Sequence, residues 1–377
     1  MKFQTIYFLA GEVSADNHGA ALMRSLHELD NNLKFVGRGG PEMQKLAGES
    51  FKNWISEAAV LGLWEVLWKY GYFREQFYET LREIESSKAD AVVLIDYPGF
   101  NLRVARALRK QAAPNKIIYY ISPQVWAWNR GRIRRMAHWI DLVLCIFPFE
   151  ADLYNQAGLR ALFVGHPMIE RLQARKAADQ RDPNLIGLFP GSRSREVRKI
   201  FPVMLETARD LQKENPNLRF EIAAASEQLA AEMKSAVSGQ EREQIFQIKL
   251  YETAAIMQRA WAGMVASGSA TLEAAYFRLP FVLIYKVAWP TYLAARLVVN
   301  VKFLGMPNLL ADKEIIPEFI QHRAKPNAVL QAMQPLIGNT EVRERMISQL
   351  DSIVPKLDGA GASQRAARAI VEEIRSG

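Results

Sequence analysis

The stretch Leu185-Ile-Gly-Leu-Phe-Pro-Gly-Ser-Arg-Ser-Arg-Glu-Val197 begins as an apolar run, turns at Pro190-Gly191 and enters a helical pattern near Ser194. An apolar run without polar alternation marks a strand buried on both faces, hence a parallel sheet between helix layers. The same arrangement returns in Gly263-Met-Val-Ala-Ser-Gly-Ser-Ala-Thr-Leu-Glu-Ala-Ala275, where a strand meets Ser267-Gly268-Ser269 and a helix follows. Glycine lets the backbone approach a ligand closely, and the free N–H groups of a helix start favour an anion. Arg193 adds a forked donor suited to phosphate. A plain strand-to-helix turn with a serine cap and a solvated arginine explains either stretch taken singly. Two such turns in one half make Gly191, Ser192, Arg193, Ser267, Gly268 and Ser269 the phosphate-binding candidates. Glu273, one helical turn after Ser269, is placed either to accept from ribose hydroxyls or to close a capping box. Asn308, beside Pro307 in an irregular segment, is a further candidate, or a turn former.

Outward from these turns, short apolar runs alternate with helical patterns along the chain. The predicted strands are 5–10, 33–37, 91–95, 116–121, 142–147 and 161–164, then 185–189, 219–224, 245–250, 262–266 and 281–285. Predicted helices include 16–29, 61–85, 103–111 and 199–214, and the chain after Pro307 is mostly helical. A polar segment, 170–183, reads as a linker. The fold class is therefore α/β: two doubly wound, Rossmann-like domains facing across a cleft, with C-terminal helices. The boundaries are 1–168, 184–337 and a helical tail, 338–377, packing on the first domain or on a second subunit. A chain of 377 residues suits two domains.

The formal charge of +8 favours anionic partners without choosing among nucleic acid, phosphorylated metabolites and acidic lipid. Cys145 is the single cysteine, so an internal disulfide is impossible, and its apolar surroundings mark a buried thiol. No run of about 18 uncharged apolar residues occurs, so membrane contact is expected to be peripheral. The first turn, Ala10-Gly-Glu-Val-Ser-Ala-Asp, lacks the Gly-x-Gly-x-x-Gly fingerprint, which disfavours nicotinamide and flavin. Paired cysteines, Asp-x-Asp and His-Glu-x-x-His are also missing, so neither cofactor nor metal is expected.

In ligand-binding sheets of this type the chemistry lies beyond the strand C-terminal ends. Asp96 closes an apolar strand and is a candidate general base, or a turn aspartate. Glu12, Ser14, Asp16 and His18 cluster where the first strand gives way to a helix, to line a cleft or to cap. Trp126, Asn129, Arg130 and Arg132 lie in an aromatic and basic stretch suited to a phosphorylated amphiphile or to nucleic acid, or to an exposed helix face. Trp64, Leu67, Trp68, Tyr72 and Phe73, with Lys69 and Arg74 near them, suit an interfacial helix or core packing.

Read in order, the segments AGEVSADNHGA, LIDYPGFN, YISPQVWAWN, CIFPFE, FVGHPM, LFPGSRSREV, SGSATLEAA and PNLLAD resemble the bacterial lipid A disaccharide synthases, glycosyltransferases of the GT-B architecture. They span residues 10–312. The resemblance implies a UDP-2,3-diacylglucosamine donor and a 2,3-diacylglucosamine 1-phosphate acceptor. The implied product is the β-1′,6-linked disaccharide 1-phosphate, with UDP leaving. It implies Arg193, Glu273 and Asn308 at UDP, Asp96 as base, and Arg130 and Arg132 at the acylated substrates. Further expectations are a cytoplasmic enzyme peripherally associated with the anionic inner-membrane surface, no nucleic acid, and a homodimer through the C-terminal helices as one option for the tail. The other readings are an epimerase, a lipid-linked sugar transferase, or a basic membrane or nucleic-acid binding module. Ala15 stands where the family carries glycine, so a positive φ there would strain the backbone. Gly99 stands where some members have a second aspartate, which leaves Asp96 as the consistent base.

Overall fold

The computed structural model describes residues 4–55, 70–125, 131–176, 180–237, 239, 245–298, 301–357 and 359–376. Contacts divide the chain into two compact units: residues 1–167 with 357–377, and residues 168–356.

The first unit is a seven-stranded sheet with every pairing parallel. Its strands are β1 (Thr5–Ala10), β2 (Lys34–Gly39), β3 (Phe51–Asn53), β4 (Ala91–Ile95), β5 (Lys116–Tyr120), β6 (Leu142–Cys145) and β7 (Ala161–Phe163). Their order is β3-β2-β1-β4-β5-β6-β7. Successive side chains point to opposite faces, and both faces are buried. Ile6, Phe8, Val93 and Ile95 enter one apolar cluster, whereas Tyr7, Leu9, Val92 and Leu94 enter the other. This is why the strands read as unbroken apolar runs.

The first cluster is completed by the end of the chain. Helix Ala362–Arg375 packs against helix Val13–Leu29 and contributes Ala366, Ala367, Ile370 and Ile374. Buried Glu373 accepts from Lys116 at 3.2 Å and from Arg160, and Arg365 donates to the Val164 carbonyl at 2.8 Å. The tail thus divides: helix Glu341–Asp351 belongs to the second unit, and the last helix to the first.

The second unit is a six-stranded parallel sheet of β8 (Asp182–Phe189), β9 (Arg219–Ala224), β10 (Phe246–Leu250), β11 (Ala260–Ala266), β12 (Phe281–Tyr285) and β13 (Glu318–Ile320). The order β10-β9-β8-β11-β12-β13 is that of a doubly wound nucleotide-binding sheet. The polar segment 170–183 is not a free linker. It holds the end of helix Met168–Gln173 and the start of β8. Arg181 within it donates to the carbonyls of Met257 (3.0 Å), Ala260 and Phe277. Among the described residues no helix is long and apolar enough to cross a membrane.

Candidate active site

In each sheet the strand order reverses between two neighbouring strands, which is where such folds bind ligands. In the first unit the reversal lies between β1 and β4. Asp96 follows β4 there. Asp96 and Tyr97 both have left-handed backbones, with φ of 47° and 49°, and Pro98 then opens helix Pro98–Lys110. Two consecutive non-glycine residues in this region are costly, and such strain collects at functional positions.

The surroundings show what holds the turn. Asn101 donates to the carbonyls of Asp96 (2.7 Å) and Ile95 (3.2 Å), the Tyr119 hydroxyl donates to the Asp96 carbonyl, and the Asp96 N–H donates to Tyr120 O at 3.1 Å. The Tyr97 ring lies so close over Gly11 that a Cβ there would meet it at 2.5 Å. Ile121, which closes β5, is a third left-handed residue at this sheet end, with φ of 61°. None of these supports was singled out from the sequence. Asn101 falls inside LIDYPGFN, but its partners lie on strands distant in the chain.

The Asp96 carboxyl is pushed up to about 6, first by burial and then by the nearby Glu12 carboxylate; the Tyr97 backbone N–H partly offsets both. The carboxyl is therefore ionised at neutral pH and still holds a proton well, as a general base requires. Glu12 and Ser14 are exposed at the start of helix Val13–Leu29, and His18 is half-buried. Asp16 turns away from this group. It is buried, and its carboxylate accepts from the N–H groups of Gly40 (3.0 Å), Glu42 (2.9 Å) and Met43 (3.0 Å). It caps helix Pro41–Ala47, so the cleft-lining expectation for Asp16 is corrected to a capping one. Ala15 is helical and does not have positive φ, so the missing glycine leaves no strain.

Arg132 lies in helix Gly131–Met136. Its pKa is lowered by burial, by Arg135 and by Arg103 of helix Pro98–Lys110, so three guanidinium groups converge. The charges of Asp96 and Arg132 both act on the Tyr119 hydroxyl, so the carboxyl and the basic cluster both lie near it. Arg103 escaped the sequence reading because a lone arginine on a helix reads as solvated. Trp126, Asn129 and Arg130 lie outside the described residues, as do Trp64, Leu67 and Trp68. Of the remaining lipid-contact candidates, Tyr72 meets Phe73 edge to face, and Phe73 packs towards Phe100 on the core cluster. Core packing therefore accounts for Phe73. Cys145 is buried and its thiol is pushed up by burial, as a structural thiol would be.

In the second unit the reversal lies between β8 and β11, and both glycine turns sit there. Gly191 has φ of +103° and Gly268 of +139°. The two turns lie side by side: a Cβ on Gly191 would lie 3.6 Å from the Cβ of Ala266, the last residue of β11. The Arg193 side chain is largely exposed and pairs with Glu196 at 3.3 Å, at the start of helix Ser194–Glu214. Ser192, Gly268 and Ser269 are exposed and Ser267 half-buried. Glu273 pairs with Arg171 at 2.8 Å, and burial raises its pKa against the pull of Arg171 and Arg175.

Asn308 is brought near, since its helix, Met306–Ala311, packs on helix Ala270–Tyr276. Its amide is nevertheless spent within the chain. It donates to Ile316 O (2.8 Å) and Glu318 (2.9 Å) and accepts from the N–H groups of Ile315 (2.7 Å) and Ile316 (2.9 Å). Direct contact with a nucleotide is thereby corrected to holding the loop 302–318 in shape.

A family profile described as Lipid-A-disaccharide synthetase matches residues 6–371. A lipid-A-disaccharide synthase of Geobacter sulfurreducens is 35% identical, over 98% of this chain and 97% of the relative. One from Coxiella burnetii is 34% identical, over 98% of both. A putative UDP-N-acetylglucosamine 2-epimerase from Listeria monocytogenes superimposes with a TM-score of 0.65 at 12% identity, covering 100% of this chain and 98% of the other. A calicheamicin glycosyltransferase does so at 0.59 and 11%, covering 100% and 99%. These two structures share the fold, a GT-B-type pair of Rossmann-like domains. By sequence over nearly its whole length, the chain belongs to the lipid-A-disaccharide synthase family: it is a glycosyltransferase that uses a UDP-sugar and a lipid-linked sugar to form the disaccharide of lipid A.

Proposed function

We propose that the enzyme condenses UDP-2,3-diacylglucosamine with 2,3-diacylglucosamine 1-phosphate, giving the β-1′,6-linked disaccharide 1-phosphate and UDP, at the cytoplasmic surface of an anionic membrane. An α-linked donor that yields a β product requires a single displacement with inversion. The acceptor 6-hydroxyl attacks the anomeric carbon as the bond to UDP breaks. Asp96 takes the hydroxyl proton. Charge growing on the departing diphosphate is met by the N–H groups of the Gly191 and Gly268 turns and by Arg193. Arg193 leaves Glu196 to do so. Glu273 accepts from the ribose hydroxyls, and Asn308 keeps the adjoining loop in place. Arg132, with Arg103 and Arg135, receives the acceptor's phosphate.

The observation that carries this reading is the carboxyl of Asp96, held at the sheet reversal with its pKa raised to about 6. The test is to supply the two substrates and follow UDP and disaccharide together, for the wild type and for Asp96→Asn. Product from the wild type, and a variant about 10²–10⁴ slower, supports the assignment. An Asn variant of near-normal rate removes Asp96 from the role of base.

A further inference from the structure

One helix of the second unit presents large apolar side chains to solvent among its described residues. Helix Trp289–Val298 follows β12, and Trp289 and Leu293, one helical turn apart, are each 57% exposed. The Trp289 and Tyr292 rings meet edge to face with centroids 5.7 Å apart. The Arg296 guanidinium lies 6.0 Å over the Tyr292 ring and donates to its hydroxyl at 3.3 Å. Single exposed apolar side chains are ordinary, but tryptophan and leucine sharing an exposed helix face beside a cation are not.

The charge of the segment is one-sided. Residues 286–312 contain Lys286, Arg296 and Lys302 against the single carboxylate of Asp312. Asp312 pairs with Lys302 at 3.0 Å, but both are largely exposed, so the pair contributes little. Exposed aromatic and aliphatic side chains beside a cation, in a segment of net positive charge, are the pattern of a helix lying in a bilayer interface, and cations draw it to anionic lipid. A second copy of the chain fits less well. A two-fold contact sets a patch against itself, which brings Arg296 and Lys302 against like charge.

We propose that helix Trp289–Val298 is a lipid-contacting element of the second unit, laying Trp289 and Leu293 into the headgroup boundary of an anionic bilayer while Arg296 and Lys302 meet the lipid phosphates. The inference rests on the proposed function, since a domain that holds the UDP of a diacylated donor works where acyl chains lie.

The test uses the full chain and a Trp289→Ser/Leu293→Ser variant, whose exposed positions leave folding intact, as an unchanged Tm verifies. Co-sedimentation with phosphatidylglycerol vesicles is expected to weaken about tenfold or more in the variant, as follows from two large side chains no longer buried. Arg296→Gln/Lys302→Gln is expected to lose affinity as well, with a smaller deficit in high salt. UDP release from short-chain, micelle-free substrates without vesicles is expected to be unchanged in both variants. Equal vesicle binding by wild type and the Trp289→Ser/Leu293→Ser variant overturns the proposal. So does a vesicle-free dimer that this variant dissolves, or an equal loss of turnover on the short-chain substrates. If the wild type releases no UDP from any of these donors, the functional reading falls, while the vesicle comparison still judges the helix.

Discussion

Asp96 carries two constraints that decide how it is tested. Its φ of 47° is tolerated by aspartate and asparagine better than by alanine. Asp96→Ala therefore mixes lost chemistry with backbone strain, whereas Asp96→Asn removes the charge alone. The raised pKa also fixes the sign of two pH effects. A base with a pKa of about 6 makes kcat/KM for the wild type rise roughly tenfold per pH unit below 6 and level off above it. A flat profile between pH 5 and 7 contradicts the role. For stability, a folded pKa above the ordinary 3.8 means that ionised Asp96 costs the fold. The cost is absent below about pH 4, where both states are protonated, and complete above about 6; it is on the order of 3 kcal/mol. Asp96→Asn is thus expected to keep or raise Tm at pH 7 while losing activity, and a fall in Tm speaks against a strained, buried carboxylate. Asn308 is the opposite case. Its four hydrogen bonds lie within the chain, so Asn308→Ala is expected to cost about 1–3 kcal/mol of unfolding free energy. A variant of unchanged stability and raised donor KM restores the direct contact. Sequence showed Asp96, Gly191 and Gly268 because each sits where an apolar run breaks. It did not show Asn101, Tyr119 or Arg103, whose partners are fixed only when distant strands and helices meet.

At the scale of elements, the strands that sequence revealed best are the central ones, buried on both faces. β1, β4, β9 and β12 run over the predicted residues. Of the three-residue edge strands, β7 was foreseen because Ala161-Leu-Phe-Val164 is an unbroken apolar run, whereas β3 (Phe-Lys-Asn) and β13 (Glu-Phe-Ile) mix charged and apolar residues and were not. Helix Val13–Leu29 begins three residues before the predicted start at Asp16, because Asp16 caps the following helix instead of its own. Gly37 shows how tightly the central strands are set. Its φ is +134°, and a Cβ would stand 2.0 Å from the Phe8 carbonyl oxygen. Gly37→Ala is expected to destabilise the first unit by about 3 kcal/mol or more, read as a drop in its unfolding midpoint. A near-native midpoint contradicts the β1–β2 register, in which Phe8 pairs with Gly37.

At the scale of the whole molecule, each unit closes its own core, but the first does so with the last helix of the chain. Composition and hydropathy pattern pointed to two α/β halves with a helical tail. They did not reveal where the tail goes, since the amphipathic pattern of Ala362–Arg375 specifies a buried face and not its partner. Removing residues 357–377 uncovers the cluster holding Ile6, Phe8 and Ile95. The truncated chain is expected to lose cooperative unfolding of the first unit while the second still binds UDP; a cooperative first unit without that helix contradicts the packing described. The most direct measurement for the central claim is quantitative turnover of UDP-2,3-diacylglucosamine with 2,3-diacylglucosamine 1-phosphate by wild type and Asp96→Asn, with UDP binding measured alongside. The account predicts one disaccharide 1-phosphate per UDP from the wild type, and from the variant a rate lower by about 10²–10⁴ with UDP binding intact. Absence of the disaccharide, or a variant that turns over at the wild-type rate, would contradict it.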